Sequence, residues 1–110
     1  MSRSRTITDD VGSPDEWLHN PHAGEMLSLE FMEPAGLDLA TLAAALEVAP
    51  GRLEALVRGD ARIDADLDLR LTRYFGMTAG FFLGLQDDYE LLEARRAMGD
   101  ALSRIVPRAA

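Results

Sequence analysis

Three groups of side chains in this 110-residue chain could do chemistry: two histidines, a run of carboxylates, and a set of arginines. His19 and His22 lie three apart and could share a metal ion, but a structural or catalytic site normally takes three or four protein ligands. Neighbouring Asp15 and Glu16 do not complete such a set. With no cysteine, the chain can form no disulfide, no thiolate zinc site and no cysteine nucleophile. Asp87-Asp88 with Glu90 could supply paired carboxylates for acid-base work. No nucleophile, glycine-rich phosphate loop or apolar pocket accompanies them, so they read as a solvated helix face. The expectation is a protein that is not an enzyme and holds neither metal nor cofactor.

Arginine is more informative. All 11 basic residues are Arg, a bias that the base composition of a genome can produce by itself. The guanidinium is also a planar fork suited to phosphate or to a base edge. Against these stand 19 acidic residues and a net charge of −8, which repels nucleic acid at long range and attracts basic proteins.

The elements that must position these groups are helical. The length and a 47% hydrophobic content fit one globular domain. No apolar run approaches the roughly 18 to 20 residues of a membrane span. The N-terminus, MSRSRTITDD, lacks the apolar core of a signal peptide, so a reducing cytoplasm is the expected compartment. Residues 1–20 read as an arm, partly disordered, with Trp17-Leu18 as a bulky pair able to dock. Arg3 and Arg5 are either a solubilising tail or a minor-groove arm.

From Gly24 on, the punctuation is regular. Gly36, Gly59 and Gly76 each follow an apolar-periodic stretch as helix-ending glycines do, and Asp38, Asp64 and Thr78 stand where a capping oxygen opens the next helix. The periodicity predicts helices over 24–34 (Leu27, Phe31 inward), 39–46 (Leu42, Ala43, Leu46) and 50–58 (Leu53, Leu56, Val57). A fourth over 65–75 is expected to bury Leu69, Thr72 and Phe75 and to turn Arg70 and Arg73 outward. The fifth starts near Thr78 and runs past Ile105. There is no strand alternation. Only Glu47, Val48 and Ala49 separate the second and third helices, so the pair must cross steeply, as in a helix-turn-helix unit. That unit lies within a domain of residues 21–76, while residues 77–110 complete the core through Phe81, Phe82, Leu85 and Tyr89. Beyond them Leu91, Ala94, Met98, Leu102 and Ile105 continue as an apolar stripe, most simply buried against a second copy of the chain.

These residues carry a resemblance to a family. His22 with Gly24-Glu25, Glu33-Pro34-Ala35-Gly36-Leu37, Leu42-Ala43 before Leu46 and Val48, Arg58-Gly59 and Arg62-Ile63 occur in order. Leu69 to Gly76 (LRLTRYFG) and Phe81 to Gln86 (FFLGLQ) complete the series. Over residues 22 to about 107 the chain resembles the HigA-type antitoxins, a branch of the Xre-like helix-turn-helix regulators of bacterial toxin-antitoxin modules. The resemblance implies an all-α, five-helix, lambda-repressor-like domain whose long C-terminal helix dimerises. It also implies a homodimer on a palindromic double-stranded operator in its own promoter, and a basic RelE-like ribonuclease toxin held inactive.

In such proteins the second motif helix enters the major groove by its N-terminal residues, which here are Pro50, Gly51, Arg52 and Ala55, with Glu54 beside them. Arg52 is the residue placed to read a guanine edge through two hydrogen bonds. Arg58 and Arg62 flank it for phosphate contacts, as do the backbone amides near Asp38 and Gly51. The surface departs from the family pattern. Leu39 stands where Gln is usual, Ala49-Pro50-Gly51 replaces a Ser-Arg-Ser-like start, and Arg58 replaces Asn. Residues 21–76 carry five Arg against ten acids, or −5, which weakens phosphate-driven affinity. A second reading therefore stands beside the first: a protein-interaction module that keeps the fold and has lost sequence-specific DNA binding.

Overall fold

In the computed structural model, which describes residues 19 to 109, a few side chains account for where each helix starts and stops. The first helix, α1, is α-helical over Ala23–Met26, widens to π geometry over Leu27–Met32 and returns to α over Glu33–Ala35. His22 caps it, its Nδ1 accepting from the Glu25 amide at 3.1 Å. Next come α2 (Leu39–Leu46), α3 (Pro50–Arg58), α4 (Ala65–Phe75) and α5 (Phe81–Met98), then a 3-10 turn over Gly99–Arg104. Asp38 opens α2 by accepting from Thr41 N at 2.7 Å, and Asp64 opens α4 by accepting from Leu67 N at 2.9 Å. Pro50 opens α3, where a missing amide proton costs nothing. As expected, Gly36, Gly59 and Gly76 end α1, α3 and α4 with φ of 65°, 84° and 70°. The described residues contain five helices and no strand.

Pro21–Leu91 forms one compact unit. Leu27, Leu42, Leu53, Leu56, Ile63, Leu67, Leu71 and Phe82 are fully buried at its centre. Phe31 joins α1 to α4 and α5, its ring centroid 5.2 Å from Phe75 and 5.1 Å from Phe82. At Gly24, α1 meets α3 so closely that a Cβ would lie 1.8 Å from the Leu56 carbonyl oxygen. The loop between α3 and α4 is held by buried Gln86, whose amide donates to the Ile63 carbonyl at 2.8 Å and accepts from the Ile63 amide. In the second unit, the Asn20 side chain donates to Glu93 at 3.0 Å and Arg96 pairs with Glu93 at 3.3 Å.

Three expectations are corrected. Leu69 is 56% exposed, whereas Leu67, Asp68, Leu71 and Thr72 are the buried residues of α4. Rotating the helix this way sends the Leu67 and Leu71 pair inward together with Asp68. Second, Thr78 is not the cap of the last helix, which begins at Phe81. Its cap is Asp68, reaching across from α4 to accept from the amides of Gly80, Phe82 and Leu83 at 2.6, 2.9 and 3.0 Å. Third, α5 stops at Met98 and does not pass Ile105, because Gly99 adopts φ of 56°, a left-handed geometry that breaks the α ladder.

Asp68 is 1% exposed, so Asp68→Ala would leave the amides of Gly80, Phe82 and Leu83 without their acceptor, that of Phe82 in a buried position. We expect a loss of about 3 kcal/mol, or a fall in Tm of about 10 °C or more for a domain of this size. Urea and thermal unfolding followed by circular dichroism measure it, and a loss below about 1 kcal/mol would show that the cap is dispensable.

Candidate nucleic-acid interface

The turn that sets the crossing of α2 and α3 is built without glycine. Glu47 closes α2 in the left-handed region, at φ of 60°, and its amide bonds back to α2 carbonyls. Arg70, from α4, donates to the Leu46 carbonyl at 2.7 Å and the Glu47 carbonyl at 3.4 Å, satisfying acceptors that the end of α2 leaves open. The steep pairing expected from the three-residue connection is thus tied to α4 as well.

At the start of α3 the surface is bare. Ala49 provides no side-chain cap, Pro50 and Gly51 are exposed, and a Cβ on Gly51 would meet nothing within 4 Å. Ala55 is only partly exposed, lying on the side of α3 between the reading face and the core. At the start of α2, Leu39 packs partly against the core, and one of the first-turn amides is already taken by Asp38. The bond from the Thr41 amide lowers the Asp38 pKa.

Arg52 does not project alone. Its Nη2 donates to Asp64 at 2.8 Å and its Nη1 to Asp66 at 3.0 Å, with 36% of the side chain exposed. Asp66 also accepts from Arg70 Nε at 3.1 Å, so Leu46, Arg70, Asp66, Arg52 and Asp64 form one chain of bonds across three helices. Arg58 pairs with Asp60 at 3.0 Å. Arg62 pairs with Glu90 through two bonds of 2.6 and 2.9 Å. Arg70, expected to turn outward, is half-buried and pairs with Asp66 one helical turn away, while Arg73 is exposed as expected. The three arginines expected to meet DNA are therefore spread out, Arg52 in the first turn of α3, Arg58 at its last residue and Arg62 in the connection to α4, each held by carboxylates of this chain. Asp64, Asp66 and Glu90 were not foreseen as their partners, because separations of 12, 14 and 28 residues leave no periodic signal.

Elsewhere, His22 serves as a cap and His19 is exposed. Among the described residues no three His, Asp or Glu side chains gather closely enough to hold a metal ion. Asp87 and Asp88 are exposed on α5. Arg3 and Arg5, like Trp17 and Leu18, lie outside the described residues. No helix among those residues is long and apolar enough to cross a membrane.

The pairs leave a titration signature. Hydrogen bonds from Arg52, and then from Arg70, lower the Asp66 pKa, and the bond from Arg62 lowers that of Glu90. A carboxyl whose pKa is depressed on folding contributes stability above its unfolded value, and that contribution disappears as the pH falls through the folded value. In a carbon-13 NMR titration, the Asp66 carboxyl is expected to have its midpoint below the ordinary Asp value of about 3.9. Arg52→Ala should raise that midpoint toward it. A midpoint indifferent to Arg52 would mean that the pair does not form in solution.

No protein-family model matches the chain. It is 44% identical over 75 residues to virulence-associated protein I of Dichelobacter nodosus, a match covering 68% of this chain and 69% of that protein. It is 30% identical over 84 residues to antitoxin HigA-1 of Vibrio cholerae, covering 76% and 79% respectively. The structure of Pseudomonas aeruginosa antitoxin HigA with its higBA promoter superposes with a TM-score of 0.74 at 34% identity, over 84% of this chain and 100% of that one. With the motif, the exposed start of α3 and these likenesses together, the chain belongs to the HigA antitoxin family of helix-turn-helix regulators, proteins that bind DNA and are not enzymes.

Proposed function

We propose that two copies of this chain repress their own operon by placing both α3 helices in a palindromic operator, and that the protein holds a cognate toxin inactive. The observation that carries the DNA reading is the exposed, uncapped start of α3, with Pro50 and Gly51 open to solvent and Arg52 beside them. Pro50 has no amide proton and the Arg52 amide bonds to the Ala49 carbonyl at 3.0 Å, which leaves the Gly51 amide, with no side-chain cap over it, to meet a phosphate. Gly51 lets a backbone or base edge come close. Arg52 reads a base, while Arg58 and Arg62 meet phosphates. The likeness to an antitoxin solved with its promoter supports this assignment. The net charge of −8 supports a basic protein partner, a RelE-like ribonuclease toxin, met in the cytoplasm.

Dimerisation falls to the exposed apolar residues near the C-terminus. Leu91, Met98, Leu102 and Ile105 are 52%, 39%, 48% and 64% exposed, with Ala94 open beside them. A second reading, a scaffold kept for protein contacts alone, draws on the pairing of Arg52, Arg58 and Arg62 with the chain's own carboxylates.

The deciding experiment is a fluorescence-anisotropy titration against the protein's own upstream DNA and a scrambled duplex at two salt concentrations. The wild type is expected to prefer its own sequence, and Arg52→Ala to lose about 1 to 3 kcal/mol of that preference. Equal, feeble binding to both duplexes would favour the scaffold reading. Separately, Leu102→Asp with Ile105→Asp should give a monomer in analytical ultracentrifugation at micromolar concentration and weaken operator binding. Both residues are exposed, so the midpoint of thermal unfolding at low protein concentration should hold. A variant that remains dimeric would place the interface elsewhere.

A further inference from the structure

Arg52 is gripped on two sides, and the grip is itself anchored. Asp64 cannot swing away freely, because the oxygen that accepts from Arg52 also caps α4 through the Leu67 amide. Asp66 is held by Arg70, which is fastened in turn to the Leu46 carbonyl. Two of the five N–H donors of the guanidinium are used in this way, leaving three. A guanine edge needs only two. By donor count, base reading does not require both pairs to break.

We propose that Asp64 and Asp66 are positioning and specificity-determining residues that hold the Arg52 fork for a neutral base edge and turn it away from phosphate. This inference rests on Arg52 reading DNA, as assigned above. The physical asymmetry is simple. A phosphate oxygen approaching Arg52 also approaches Asp64 and Asp66, so the attraction of Arg52, and of Arg70 behind Asp66, is offset by the repulsion of two anions. A guanine edge carries no net charge and meets the donors without that repulsion. The grip also removes rotamer freedom from a long side chain before DNA arrives, which reduces the ordering cost of docking.

The test compares affinity for the protein's own upstream DNA with affinity for a scrambled duplex. Asp66→Asn and the double variant Asp64→Asn with Asp66→Asn are measured beside the wild type. Asn keeps a capping oxygen at position 64, and circular dichroism melts verify the fold. Glu30→Gln with Glu33→Gln, two exposed acids on α1, serves as the charge-matched control. In the double variant we expect the preference for the protein's own DNA to fall about ten-fold, part of what a good bidentate base contact is worth. Binding to the scrambled duplex should tighten, and its salt slope should steepen by about one as Arg52 becomes a phosphate contact. The control should shift both duplexes alike, and in an Arg52→Ala background the Asn changes should leave the ratio unmoved. A ratio that holds or rises in the double variant would overturn the proposal and make the two acids bystanders or plain competitors for Arg52. A wild-type preference that Arg52→Ala leaves intact would overturn the base-reading role itself, and the positioning role with it.

Discussion

An ionised carboxylate in a protein interior is expensive unless hydrogen bonds replace its water, and Asp68 is 1% exposed. Its site is supplied by the incoming end of α5, where the amides of Gly80, Phe82 and Leu83 converge on its two oxygens. Helix N-termini favour negative charge, so one contact answers two needs, the desolvated anion and the orphan donors. The consequence extends to the surface. Turning Asp68 inward sets the rotation of α4, which sends Leu67 and Leu71 to the core and Leu69 to solvent. It is in this orientation of α4 that Asp64 and Asp66, at its start, meet Arg52 on α3. The surroundings of the residue assigned to read DNA thus depend on a cap made in the core.

A chain with net charge −8 is a poor polyelectrolyte partner for DNA, and Arg52, Arg58 and Arg62 are already paired with its own carboxylates. The magnitudes still leave room for base reading. Exposed ion pairs are worth about 0 to 1 kcal/mol each, less than the roughly 1 to 3 kcal/mol of a good bidentate base contact. What the carboxylates remove is the long-range and sequence-independent component, which comes from phosphate neutralisation. On the proposed reading, such a surface has little general affinity and rewards a particular base sequence at a few places.

Much of this was legible in the residues. Gly36, Gly59 and Gly76, with Asp38 and Asp64, mark helix ends because each acts within one turn of its own position, and α2, α3 and α4 run over the spans predicted. The π segment at Leu27–Met32 was not legible, since it keeps the apolar spacing of Leu27 and Phe31. The burial of Asp68 was not legible for a related reason. A periodic reading treats any Asp as surface, and only the arrival of α5 from twelve residues away makes burial favourable. At the interface, the residue types on α3 were readable one by one. Their partners were not, because Asp64, Asp66 and Glu90 reach the arginines through tertiary packing.

The same electrostatics bear on why two copies matter. Residues 21–76 carry five Arg and ten acids, so a single copy gains little from the phosphate backbone before any base is read. Linking two reading helices converts the second contact into an intramolecular event, whose effective concentration does not depend on further charge. Half-sites one helical turn apart suit that arrangement. An acidic domain of this kind therefore relies on pairing more than a basic one would, since a basic monomer can linger on any duplex. Under the proposed dimer, exposed Leu102 and Ile105 would bear on operator occupancy almost as directly as Arg52. Occupancy then rises with the square of the chain's concentration wherever the free copies are monomeric, a steeper response than any single-copy contact could give.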